Sequence, residues 1–165
     1  MFQASTYSGN KTGDYELLLK QLHSLSEGED DAIAILSNAS ALLNQLMHEV
    51  NWVGFYLWKK EKDELVLGPF QGMPACIRIP YGKGVCGTAI KEMKTQLVAD
   101  VTQFPGHIAC DSASRSEIVV PIMINNSVYG VLDIDSPIMN RFDETDQLYM
   151  EKFVKILEGF LTIAS

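Results

Sequence analysis

Two apolar runs, Ile118–Met123 and Ser127–Asp135, flank Asn125-Asn126, and this arrangement constrains the fold more than any other stretch of the chain. Asn-Asn tolerates positive φ, so the spacing predicts two antiparallel strands closed by a tight turn. A second hairpin is predicted from Asn51–Trp58 and Leu65–Phe70, rich in aromatic and β-branched residues and separated by a charged turn. Helical spacing of Leu17, Leu18, Leu22 and Leu25 predicts a first helix over 14–25. Asp30 or Asp31 caps a second, whose buried stripe is Ile33, Leu36, Ala39, Leu42, Leu43 and Leu46. A glycine-punctuated loop, Tyr81–Ile90, runs into a short helix ending near Met93 or Lys94, and a short strand follows at Gln96–Val98. The last helix spans about 143–163, with Asp143 and Asp146 placed as a capping box. Together these elements predict an α+β fold, an antiparallel sheet with helices packed on a face.

The 165 residues fit one domain, with residues 1–13 expected to be a flexible N-terminal extension. No apolar stretch approaches the ~20 residues of a membrane-spanning helix. A net charge of −8 disfavours a nucleic-acid partner, because phosphate binding needs clustered Lys and Arg. The N-terminus has no basic start or apolar run of the secretory kind, so a cytoplasmic location is expected.

The long segment from Gln71 to Glu117 least resembles scaffold, and all three cysteines, Cys76, Cys86 and Cys110, lie within it. An odd count leaves at least one thiol free within a monomer. None sits on an obvious core face of a helix or strand. Cys86 falls at a helix start, where free N–H groups and the helix dipole favour a thiolate, although a small residue between close-packed glycines explains it equally well. Cys110 lies in a polar loop with His107, Arg115 and Glu117 nearby, groups able to tune a nucleophile and supply a proton. Three cysteines and a histidine are also a legitimate zinc set, but no Cys-x-x-Cys knuckle occurs, and no metal is expected.

Asp133 and Asp135 alternate along an otherwise apolar strand, so both face the same side. Two buried carboxylates on one face need a cation or donors, and a ligand ammonium is a natural counter-charge. Trp52 and Tyr56 share one face of the first strand, opposite Phe55, and serve as core or as pocket wall.

The motifs Asn51–Leu57, Gly68–Gly72, Cys76–Ile79, Gly82–Gly87, His107–Asp111 and Ser114–Glu117 together resemble the free methionine-(R)-sulfoxide reductases, single GAF domains that act as enzymes. The resemblance runs from about Asp14 onward. It implies a GAF-like central antiparallel sheet with helices on one face and a loop-enclosed ligand pocket on the other. It also implies reduction of free L-methionine-R-sulfoxide, without a bound cofactor, by a homodimer recharged by thioredoxin and NADPH. Cys110 would attack the sulfoxide sulfur and become a sulfenic acid, with Cys76 the first choice to resolve it as a disulfide. Cys86 stays a competitor for the attacking role. Glu117 would face the sulfoxide oxygen, Asp133 and Asp135 the amino group, and Trp52 and Tyr56 the thioether end. Asn140–Glu144 resembles a motif of cyclic-nucleotide-binding GAF domains, and capping the last helix is its expected job here. The competing readings are a GAF sensor that binds a small molecule without chemistry and a peroxide-responsive redox switch.

Overall fold

Alternation along the strands divides the protein into two apolar layers on either side of one sheet. The computed structural model describes residues 2–3 and 7–164; Met1 and residues 4–6, assigned from sequence to the N-terminal extension, and Ser165 lie outside them. The strands are β1 (Trp52–Lys59), β2 (Glu64–Gly72), β3 (Arg78–Pro80), β4 (Gln96–Val98), β5 (Ser116–Ile124) and β6 (Ser127–Ser136). They form a six-stranded antiparallel sheet in the order β3-β2-β1-β6-β5-β4. Both predicted hairpins are present, and Asn125 and Asn126 take positive φ at the β5–β6 turn.

On one face Val53, Phe55, Ile118, Val120, Ile122, Leu132 and Ile134 pack against three helices, α1 (Lys11–Ser26), α2 (Ala32–Leu46) and α4 (Glu144–Leu161). The opposite side chains of the same strands, Trp52, Tyr56, Val119 and Val131, form a smaller core with the short helix α3 (Gly84–Glu92). Period-two alternation thus places the central strands between two apolar layers, and the second layer holds the cavity.

Local chemistry sets the helix ends. Asn10 caps α1 by accepting from the Gly13 N–H, so residues 11–13 form its first turn rather than part of an extension. Asp31 caps α2, and the stripe buries Ile35 while Ile33 stays 67% exposed. Ala32, one residue earlier, packs against the core, so Ile33 is exposed because it lies on the edge of the buried stripe. Asp143 caps α4 in the predicted box with Asp146, whose buried carboxylate also accepts from the Tyr15 hydroxyl at 2.5 Å and Lys11 Nζ at 3.0 Å. Arg141 adds an ion pair to Asp146 at 3.5 Å and Lys11 pairs with Asp143 at 3.0 Å, so the Asn140–Glu144 segment is tied to both α4 and α1.

Close backbone approach holds α3 against the turn after β3. A Cβ on Gly87 would stand 2.6 Å from the Pro80 carbonyl oxygen and 3.1 Å from the Gly82 nitrogen, both backbone atoms. Gly87→Ala is therefore expected to cost about 1–3 kcal/mol, as overpacking does. Thermal denaturation would register about 2–4 °C for each kcal/mol, and an unchanged midpoint would mean the turn yields freely.

Candidate active site

Four elements and one loop bring the chemically active side chains to a single cavity on the α3 face. Trp52 and Tyr56 come from β1, Cys86 from the first turn of α3, Glu117 from β5, and Asp133 and Asp135 from β6; the loop before β5 adds His107, Cys110, Asp111 and Ser114. Ala75, Ile79, Val85 and Ile108 complete an apolar wall. The volume is about 40 Å³, more than a single water needs.

Cys76 and Cys110 are joined by a disulfide with a Cα–Cα distance of 5.3 Å. The aromatic pair positions the Cys76 side of it. Tyr56 Oη donates to the Cys76 carbonyl at 2.9 Å, and Trp52 Nε1 donates to the Met73 carbonyl at 3.1 Å, pinning the β2–β3 connection onto β1. Trp52 stacks between Tyr56 and Phe70, with ring centroids 5.8 and 5.2 Å away. On the Cys110 side, Asn51 Nδ2 donates to Asp111 at 3.0 Å and to Ser114 Oγ at 3.3 Å, tying the loop to the start of β1.

Cys86 corrects two expectations. It does begin a helix, but its side chain is 3% exposed and belongs to the second core. Burial pushes its thiol pKa well up, and Asp133, Glu117 and Asp135 push it further, overwhelming any help from the helix terminus. It is the free cysteine of the three, held as a thiol.

Glu117, Asp133 and Asp135 form a tight acidic group facing one another from adjacent strands, with Glu117 paired to Asp135 and Val119 to Asp133 in the β5–β6 register. Burial raises all three carboxyls, and mutual repulsion raises Glu117 and Asp135 further. The neighbouring Glu117 and Cys86 thiol hold back the rise of Asp133. Asp133 Oδ1 remains buried without a partner. Among the described residues no Lys or Arg lines the cavity, so a positive charge to balance this group when it ionises comes from an occupant.

Of the loop groups singled out from sequence, His107 reaches the cavity, its pKa lowered by burial so that it stands neutral. Arg115 does not; its guanidinium points at the Ser112 and Ser114 carbonyls and shapes the loop. Sequence reasoning gave no role to Asn51 as the anchor of the loop, nor to Asp111 and Ser114 as its partners. A polar residue heading an aromatic strand run was the available signal.

The GAF domain family pattern matches residues 32–157. The chain is 49% identical over 152 residues to the free methionine-R-sulfoxide reductase of Escherichia coli, covering 92% of this chain and 91% of that protein. A free methionine-R-sulfoxide reductase from Neisseria meningitidis, solved in complex with its substrate, superposes with a TM-score of 0.95 at 46% identity, over 99% of this chain and 98% of that one. The reduced form of fRMsr of Staphylococcus aureus superposes with a TM-score of 0.87 at 57% identity, over 96% and 99% of the two chains.

Proposed function

Since the chain belongs to the free methionine-R-sulfoxide reductase family of GAF-domain proteins, we propose that it reduces free L-methionine-R-sulfoxide to L-methionine in this cavity, as a single catalytic domain. The observation that carries the reading is the Cys76–Cys110 disulfide beside the buried Glu117 and Asp133 and the half-buried Asp135, with no Lys or Arg among the described residues lining the cavity.

In the reduced enzyme the Cys110 thiolate attacks the sulfoxide sulfur while Glu117, kept protonated by burial, gives its proton to the sulfoxide oxygen. Oxygen passes to Cys110, and methionine leaves. The Cys76 thiol then displaces that oxygen as water from the Cys110 sulfenic acid, forming the disulfide. A dithiol donor of the thioredoxin class restores both thiols, with NADPH as the ultimate electron source. Cys86 takes no electrons in this scheme.

Asp133 and Asp135 receive the ligand ammonium, and the thioether end lies against Trp52 and Tyr56. Helix α3 starts at the cavity without a side-chain cap, leaving its first-turn N–H groups and dipole for the ligand carboxylate. Capping either end of the amino acid removes a charge the pocket is built to balance, which accounts for selection of the free amino acid. Cys110 lines the cavity, so reduction of the disulfide frees the attacking thiol for the ligand. A reducing cytoplasm supplies the required donor, and a homodimer is the assembly that the family resemblance favours.

The test follows NADPH oxidation through thioredoxin and its reductase with the free R epimer, the free S epimer and the N-acetylated R form offered separately. Turnover of the free R epimer alone is expected. Peroxide-driven disulfide formation without turnover of any sulfoxide would instead make the chain a redox switch.

A further inference from the structure

Cys86 Sγ, one carboxylate oxygen of Glu117 and one of Asp133 all lie within 4.8 Å of one another, and the three side chains are at most 6% exposed. A thiol buried between two carboxyls is unusual company for a core cysteine. Asp133 Oδ1 lies there without a hydrogen-bond partner, at a residue 5% exposed that lines the cavity. We propose that these three residues form a binding site for a thiophilic divalent cation of the zinc class, which occupies the ammonium subsite and excludes the free amino acid. The competition rests on the functional reading above; the site itself does not.

Geometry and charge both suit such an ion. Tetrahedral zinc with sulfur at ~2.3 Å and oxygens at ~2.0–2.2 Å spaces its ligand atoms roughly 3.5 Å apart, which rotamer adjustment of Glu117 and Asp133 brings within reach. One thiolate and two carboxylates supply three negative charges and leave a fourth position for water, the pattern of an open zinc site. Sulfur favours zinc or cadmium over magnesium or calcium, whose preference is for oxygen. The cavity of about 40 Å³ admits a single ion even with the disulfide formed. Binding releases the Cys86 thiol proton and the Glu117 proton to solvent, with no change of oxidation state.

Cadmium is the probe, titrated into the full-length protein with the Cys76–Cys110 disulfide intact, so that Cys86 is the free thiol. A thiolate-to-cadmium charge-transfer band saturating at one ion per chain is expected, with zinc abolishing it. Cys86→Ser should lose the band. Asp133→Asn keeps the thiol and should weaken binding at least tenfold, with circular dichroism verifying the fold of both variants. Saturating L-methionine on the reduced protein should raise the apparent Kd for zinc at least tenfold. Absence of the band or its persistence in Cys86→Ser would overturn the site, and indifference to methionine in a protein that turns over the free sulfoxide would overturn the competition. Failure of sulfoxide turnover with the band intact would instead overturn only the reductase reading.

Discussion

Cys76→Ser is expected to release one methionine per chain and then stop, with multiple turnover through thioredoxin reduced by on the order of 10³ or more. In that variant Cys110 still attacks and becomes a sulfenic acid, but the partner that stands 5.3 Å away between Cα atoms is gone. Cys86 is a poor replacement, because burial and the surrounding carboxyls hold it as a thiol while resolution needs a thiolate. Cys110→Ser should lose the burst as well as the turnover, whereas Cys86→Ser should keep the burst. Rapid-quench measurement of methionine against enzyme concentration distinguishes the three. A burst that survives Cys110→Ser and disappears in Cys86→Ser would transfer the attack to Cys86.

That reversal is worth testing because the two cysteines exchange plausibility between sequence and structure. A cysteine two residues after a glycine, opening a helix, reads as an activated thiol when only local geometry is known. What cancels the effect is tertiary: β5 and β6 bring Glu117 and Asp133 to the same spot, and neither is near Cys86 in sequence. The pairing of Asp133 with Asp135 was legible, since period two along a strand needs no knowledge of the fold. So were both hairpins, from turn residues and alternation, and the capping box of α4. Strand β3, three residues long, was not; it carries too few residues to set a period and is defined by its pairing with β2. Helical spacing puts Ile33 on the core stripe, but the buried face centres on Ala32, Ile35, Leu36, Ala39 and Leu43 and leaves Ile33 at its edge. Asn51 illustrates the other limit, because its partners Asp111 and Ser114 lie about sixty residues away and only the folded loop brings them together.

Glu117→Gln joins catalysis and stability in one variant. Loss of the acid that protonates the sulfoxide oxygen should lower kcat by about 10²–10⁴ while KM changes far less. The same carboxyl has a stability cost of predictable sign. Burial first, then Asp133 and Asp135, raises its pKa well above its ordinary value, and Asp135 is raised likewise. A carboxyl raised on folding contributes fully below the ordinary carboxylate range, near ~4, and loses that contribution as pH rises through the folded value. The ligand-free reduced protein should therefore melt at progressively lower temperature from pH 5 toward pH 8 (about the range over which unfolded carboxyls are already ionised). Asp143 works in the opposite sense, since the Asp146 backbone N–H and Lys11 hold it at about 2, and its contribution fades only as pH falls toward that value. Glu117→Gln removes one of the raised groups, so its melting temperature should decline less with pH and exceed that of the unsubstituted protein at the alkaline end. L-methionine should protect the unsubstituted protein more at alkaline than at acid pH, because its ammonium compensates carboxylates that ionise as pH rises. Calorimetric scans across that range read the slope, and stopped assays read kcat. A variant that keeps its turnover would remove Glu117 from proton delivery, and a parallel pH slope would mean that the acidic group shares its protons differently from the way burial dictates.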